Sequence, residues 1–209
     1  MDIKKTANLL INFTIKRLAE IFGIIIFVAG TLLLIALVYY SPEDPNFVFP
    51  DNTEIKNILG FHGSFVSDIF FQSIGLVSYL ISLTLLITGI NIFRTKEFFL
   101  IIENIFFAII YSILGTLFLS QFYSNAFTLY INGNGGFVGN YFNQTFLTSL
   151  ILINKTIFYY LLIFLVLIFF LISINFNPIK FYENFKKIFT IFSKSNEKNY
   201  THKSEVISE

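Results

Sequence analysis

Residues 21–40, IFGIIIFVAGTLLLIALVYY, run for twenty positions without a charge. At 1.5 Å per helical residue this length matches the ~30 Å hydrocarbon core of a bilayer, so the run alone commits the chain to a membrane. Three more stretches of similar character follow at about 74–93, 98–119 and 157–176, and Glu103 is the one charge inside any of the four. Charged residues make up 13% of the chain. A soluble domain carries about 25%, so there are too few here to cover a water-facing surface. The expected fold class is an all-α integral membrane protein with four transmembrane helices.

Lys4, Lys5, Lys16 and Arg17 precede the first span, as they would a secretory signal. Its apolar stretch is longer than a usual signal core and no A-x-A-like site follows, which predicts an uncleaved signal anchor. The basic residues also set the orientation. Those four, Arg94 and Lys96 between spans 2 and 3, and Lys180, Lys186, Lys187, Lys194, Lys198 and Lys203 after span 4 put 12 of the 14 on one side, leaving Lys56 and Lys155 for the other. Both termini are therefore expected in the cytoplasm. Tyr39 and Tyr40 read as interface aromatics, Pro42 as the stop of the first helix, and Glu43, Asp44, Asp51 and Glu54 as an acidic outer loop. With no cysteine, the chain is excluded from disulfide bonding and from thiol-based metal or redox chemistry.

Two outer segments resemble one another. GFHGSFVSDIFFQSI (60–74) and GFVGNYFNQTFLTSL (136–150) both begin G-F-x-G. Polar residues fall at the same five offsets: Ser64, Ser67, Asp68, Gln72 and Ser73, against Asn140, Asn143, Gln144, Thr148 and Ser149. Steps of 3, 1, 4 and 1 fit one face of a helix, with Phe65, Val66, Ile69 and Phe70 facing elsewhere. The second copy has Thr145 where the first has Ile69. The pattern predicts two parallel helix–loop–amphipathic helix–helix repeats, with outer amphipathic helices at about 63–73 and 139–150. Chance similarity between two membrane-entry helices in a Phe-rich chain is the alternative.

No group stands out as chemically active. NGNGGFVG (132–139) lacks the Lys-Ser/Thr of a phosphate loop, so Gly60, Gly63, Gly136 and Gly139 are expected to serve turns or close helix packing. His62 and His202 fall in opposite aqueous compartments and share no site. Adjacent Glu43 and Asp44 read as a solvated turn rather than a tuned acid–base pair. Glu103, about one turn into span 3, is expected to snorkel to the cytoplasmic interface beside Lys96 or Arg94, with an ion or proton pathway as the alternative. No catalytic, cofactor-binding or metal-binding residue is assigned, and no reaction is expected of this chain.

The four spans define a membrane domain over 1–176, which Asn177-Pro178 closes. Over 177–192, Phe181, Tyr182, Phe185, Ile188, Phe189 and Phe192 recur at helical spacing among Lys180, Lys186 and Lys187, predicting a basic amphipathic interfacial helix. Residues 193–209 are polar and mixed in charge, predicting a disordered cytoplasmic linker cut at a domain boundary.

Taken together, these features resemble the membrane-anchoring amino-terminal domain of the FtsK/SpoIIIE family of bacterial DNA translocases. YYSPEDPNF after span 1 is similar to that family's S-x-x-D-P-aromatic signature through Ser41, Asp44, Pro45 and Phe47. GFHGSFVSDIFFQSIGLVSYL (60–80) is similar to its G-x-x-G…D…G…Y-L segment through Gly60, Gly63, Asp68, Gly75, Tyr79 and Leu80, and GGFVG (135–139) fits its second outer loop. The resemblance runs from about residue 15 to 192, with phenylalanine where the family usually has tryptophan. It implies a multi-pass anchor in the bacterial cytoplasmic (inner) membrane at the division septum. The anchor would act in cell division and chromosome segregation, contact other division proteins and tether a hexameric motor. ATP, Mg and DNA would belong to that motor, which lies outside these 209 residues. A small four-span transporter or channel is the competing class, opposed by a lack of polar residues at mid-depth and by the place of the glycines at the outer surface. A stand-alone septal scaffold is the third.

Overall fold

The computed structural model describes residues 3–45, 54–124 and 132–179, together with 182 and 186. Among these, every regular element is helical: α1 (Ile3–Val38), α2 (Gly60–Ile74), a 3-10 turn (Gly75–Val77), α3 (Ser78–Thr95), α4 (Leu100–Phe122), α5 (Gly136–Asn143), α6 (Phe146–Ile153) and α7 (Lys155–Ser173). Met1–Ile174 form one compact unit and Asn175–Glu209 a second, and the fold is that of the first. The helix expected at 177–192 and the linker at 193–209 lie outside the described residues, apart from 177–179, 182 and 186.

Among the described residues, four helical stretches are long and apolar enough to cross a membrane: Asn8–Val38, Gly60–Thr95, Leu100–Phe122 and Lys155–Ser173. A helix closes its own backbone hydrogen bonds, which hydrocarbon demands. α1 begins 18 residues before the expected span, because nothing between Ile3 and Glu20 is a glycine or proline that would break it. It ends at Val38, four residues short of Pro42. Tyr40 is therefore not an interface aromatic. Its ring packs on Phe71 at 4.8 Å, and its hydroxyl donates to Asp68 at 3.1 Å. Likewise α7 stops at Ser173, before the expected 176, and Asn154 caps its start by accepting from the Ile157 amide at 3.2 Å.

The first outer helix is α2, and its amphipathicity is inverted relative to a soluble helix. Ser64, Ser67 and Asp68 are buried while Val66 and Ile69 are exposed. The second outer segment is not the single helix expected at 139–150. It breaks at Gln144–Thr145 into α5 and α6, because Thr145 N-caps α6 through Leu147, a role its counterpart Ile69 has no oxygen to fill.

Packing divides the unit into two halves. In the first, α1 runs along α3 and α2 closes the outer end. In the second, α4 runs along α7 with α5 laid on its outer end. The α1–α3 crossing depends on close backbone approach: a Cβ on Gly89 would sit 2.5 Å from the Phe27 nitrogen, and one on Gly23 2.7 Å from the Phe93 nitrogen. The α4–α7 seam is aromatic instead, with Phe107 on Phe169, Tyr111 against Phe170 at 5.7 Å and Phe118 against Tyr159 at 5.3 Å.

Candidate functional site

Two polar constructions hold the four spans in register, one at the outer end and one at mid-depth. The outer one starts where α1 ends. The last carbonyls of a helix have no partner within it. Here Asn57 Nδ2 donates to the Ala36 carbonyl at 2.9 Å, and the Tyr79 hydroxyl to the Leu37 carbonyl at 3.2 Å. Asp44 is fully buried, and its carboxylate accepts the amides of Lys56 at 2.8 Å and Asn57 at 2.9 Å. Ser64 Oγ then donates to the Pro45 carbonyl at 3.2 Å. The reading of Glu43 and Asp44 as one solvated turn is thus half right. Glu43 is exposed and pairs with Lys56, whereas Asp44 is a buried staple for the returning loop. The Lys56 ammonium holds the Glu43 carboxyl below its ordinary range, and that carboxylate raises the Lys56 pKa in return.

The second half docks into the kink between α2 and α3. The Leu76 amide donates to the Asn134 carbonyl at 3.0 Å, and Asn132 Nδ2 reaches the Gln72 carbonyl at 3.2 Å. Gly75 and Gly136 meet here at φ +59° and +64°, where any side chain would be strained and a Cβ on Gly75 would collide with the Asn134 carbonyl. Asn134 Nδ2 in turn holds the Tyr123 carbonyl at the end of α4, the counterpart of Asn57 on Ala36.

At mid-depth the spans carry a buried polar seam. Thr84 Oγ1 lies 2.8 Å from the Tyr111 hydroxyl, and Ser173 Oγ donates to Thr84 Oγ1 at 3.3 Å, so one cluster ties α3, α4 and α7. Asn104 Nδ2 donates to Thr88 Oγ1 at 2.8 Å. The expectation that the spans lack polar residues at mid-depth is therefore wrong. Single hydroxyls inside runs of Ile and Leu barely move an averaged hydropathy, and the fold collects them on one seam.

At the end of the spans away from the clasp, Lys96 does not accompany Glu103. Its ammonium lies 2.8 Å from Glu20, which also holds Arg17 at 2.6 Å, so one carboxylate ties α1 to the turn after α3. The available signal was a lone acid three residues after Arg17. Glu103 stands exposed in the first turn of α4, where a negative charge suits the helix dipole. His62 is exposed on α2, and His202 lies outside the described residues. Among the described residues, no three His, Cys, Asp or Glu side chains converge.

Several residues of the outer clasp are those of the short motifs, and they fall inside the stretch that a family-wide comparison matches. The sequence model of the 4TM region of DNA translocase FtsK/SpoIIIE matches residues 15–186, which takes in all four spans. This chain belongs to the FtsK/SpoIIIE four-transmembrane family. Over 112 residues, 53% of this chain and 17% of the relative, it is 28% identical to the DNA translocase FtsK of Azospirillum brasilense. Over 69 residues, 33% of the chain and 8% of the relative, it is 38% identical to that of Caulobacter vibrioides. Over 132 residues, 63% of the chain and 18% of the relative, it is 24% identical to that of Rickettsia typhi. The alignments thus cover less than a fifth of each of these relatives. No solved structure matches the chain. Within the FtsK/SpoIIIE region, Asp44 closes the outer loop, Asp68 holds Tyr40, Gly75 admits the second half and Tyr79 caps α1. The motif is the clasp.

Proposed function

We propose that this chain is the anchor that holds a cytoplasmic, ATP-driven DNA motor to the bacterial inner membrane at the division septum, with both of its own ends in the cytoplasm. The observation that carries this reading is the family match over 15–186, which falls on the four spans and the clasp together. ATP, Mg, DNA and a hexameric assembly belong to the motor in this reading, and other division proteins meet the anchor. What the anchor's residues do is mechanical. Two helix pairs are pinned at the outer surface by Asp44, Asn57 and Asn134, at mid-depth by Thr84, Tyr111 and Ser173, and at the inner surface by Glu20. Such an anchor transmits load between its two aqueous faces without itself binding a substrate.

A fluorescent fusion of the chain, imaged in dividing cells with single cysteines placed for labelling, tests both parts. Septal enrichment is the expected result, with an impermeant thiol reagent labelling exposed positions Glu54→Cys and Tyr141→Cys but not Thr95→Cys in intact cells. Uniform fluorescence around the cell would refute the septal anchor, and labelling at Thr95→Cys would refute the orientation.

A further inference from the structure

Of the two lysines at the clasp end, Lys56 is paired with Glu43, whereas Lys155 has no carboxylate within ion-pair reach among the described residues. Lys155 begins α7 with its ammonium 5.7 Å from the centre of the Phe122 ring. One turn further, Tyr159 packs against the same ring at 5.1 Å and sets its hydroxyl 2.7 Å from that of Tyr123. Two hydroxyls bonded to each other use one hydrogen between them. The pair therefore keeps a second hydrogen to donate, with no acceptor for it among the described residues.

Next to this polar corner the α4–α7 seam opens. A groove of about 390 Å³ lies between α3, α4 and α7, walled by Leu80, Phe118, Ile163 and Leu167 and left open where Gly115 carries no side chain. Phe118 packs on Tyr159 at 5.3 Å, so groove and corner are continuous. Lys155, Tyr159, Ile163 and Leu167 recur at every fourth position, which puts cation, hydroxyl and groove on one face of α7. At about 1.5 Å per residue that face descends about 18 Å from Lys155 to Leu167, close to the ~15 Å that one leaflet contributes to the hydrocarbon core.

A cation without a counter-ion and a spare O–H call for an anion that accepts hydrogen bonds. The groove beneath them calls for a hydrocarbon chain. A phospholipid carries both, in that order along the membrane normal. A zwitterionic headgroup brings its own ammonium to its phosphate and gains less from Lys155 than a headgroup of net negative charge. We propose that this corner binds one anionic glycerophospholipid from the leaflet at the clasp end. Its phosphate lies between Lys155 and the Tyr123–Tyr159 pair, and one acyl chain runs along the groove past Gly115. The site requires only that the chain span a bilayer, not that it anchor a motor at the septum.

The chain has no tryptophan, so a single introduced one reports alone. Leu167→Trp places the reporter in the groove, and Phe164→Trp places it on a comparably exposed face of the same helix outside the groove. Each variant of the 209-residue chain is reconstituted in phosphatidylcholine bilayers containing a minor fraction of phosphatidylglycerol, with one or the other lipid brominated on its chains to quench the tryptophan on contact. At Leu167→Trp, phosphatidylglycerol should be preferred over phosphatidylcholine about fivefold, the worth of one basic residue beside an anionic headgroup, and at Phe164→Trp there should be no preference. In the Leu167→Trp background, Lys155→Gln should abolish the preference and Lys155→Arg should keep it. Lys56→Gln removes an equal charge from the same end and should leave it unchanged. Equal quenching by both lipids at Leu167→Trp, the same preference at Phe164→Trp, or a preference that survives Lys155→Gln would overturn the proposal. So would an equal loss in Lys56→Gln, which would reduce the effect to net charge. Quenching at Phe164→Trp with none by either lipid at Leu167→Trp would also overturn it, by showing the groove covered by protein.

Discussion

The two halves of this domain follow the same sequence plan and are held together by different physics. Each is a span, a helical segment laid across its end and a returning span. The first half brings backbones together: Gly23 and Gly89 leave no room for a methyl group between α1 and α3. The second fills the seam between α4 and α7 with Phe107, Phe118, Tyr159, Phe169 and Phe170. Glycine contacts are short and unforgiving, whereas aromatic ones adjust by rotating a ring. A duplicated topology thus fixes which elements meet, but leaves open how tightly.

The sharpest way to break that contrast is to place the same methyl group in both halves. Gly89→Ala drives a Cβ into the Phe27 backbone, which cannot yield without moving α1, and should cost about 2–3 kcal/mol or more. Gly115→Ala meets only Val77 Cγ2 at 3.0 Å, a side chain that can turn, and the gain of about 0.5–1 kcal/mol in helix propensity should leave it near neutral. Unfolding by SDS titration in mixed micelles, followed by circular dichroism, compares the two; equal losses would erase the distinction.

A smaller effect separates the two buried asparagines that hold the outer ends of α1 and α4. Asn57 uses both ends of its amide, donating to Ala36 and accepting from the Leu59 amide at 3.1 Å. Asn134 Oδ1 has no partner among the described residues. Asn57→Ala should therefore cost about 1–3 kcal/mol and exceed Asn134→Ala in the same titration. The reverse order would show that the second half's clasp, not the first's, carries the outer end.

The smallest effect belongs to the ion pair that the first half carries in its outer loop. Lys56→Met should unfold with the native chain, since both side chains are exposed. The Glu43 pKa is depressed, so its contribution is present above its ordinary value of 4.5 and fades as pH falls through the lower folded value. That of Lys56 is raised, so its contribution is complete below its ordinary value of 10.5 and is lost as pH rises through the higher folded value. A flat stability profile from about pH 5 to 10, identical in Lys56→Met, is expected. A divergence of the two profiles inside that window would assign the pair a structural role.

The spans were legible because hydrocarbon imposes a length and a composition that any reader of the chain can measure. The outer repeat was legible as a pattern of offsets, and one departure from it, Thr145 for Ile69, marked the place where the second helix breaks. What the sequence did not disclose depends on partners far along the chain. Asp44 looked like half of an acidic turn because nothing local says that the amides of Lys56 and Asn57 return to it. Glu20 drew no reading at all, because its partner Lys96 is 76 positions away. Thr84, Tyr111 and Ser173 were invisible singly, since each is one hydroxyl in an apolar run and only the fold makes them neighbours.

The uneven lengths of the helices have a consequence for the bilayer itself. From Asn8 to Val38, α1 measures about 46 Å, enough to reach through both headgroup layers, whereas α7 at 19 residues is about 28 Å and ends at Ser173 beside Thr84, short of the end of α3. Hydrophobic mismatch therefore falls on one side of the molecule. As a membrane thickens by a few ångströms, α1 has length in reserve, but α7 can adapt only by standing more upright or by thinning the lipid around it, at a fraction of a kcal/mol per ångström. The first half is a peg of fixed reach, and the second registers how thick the membrane is.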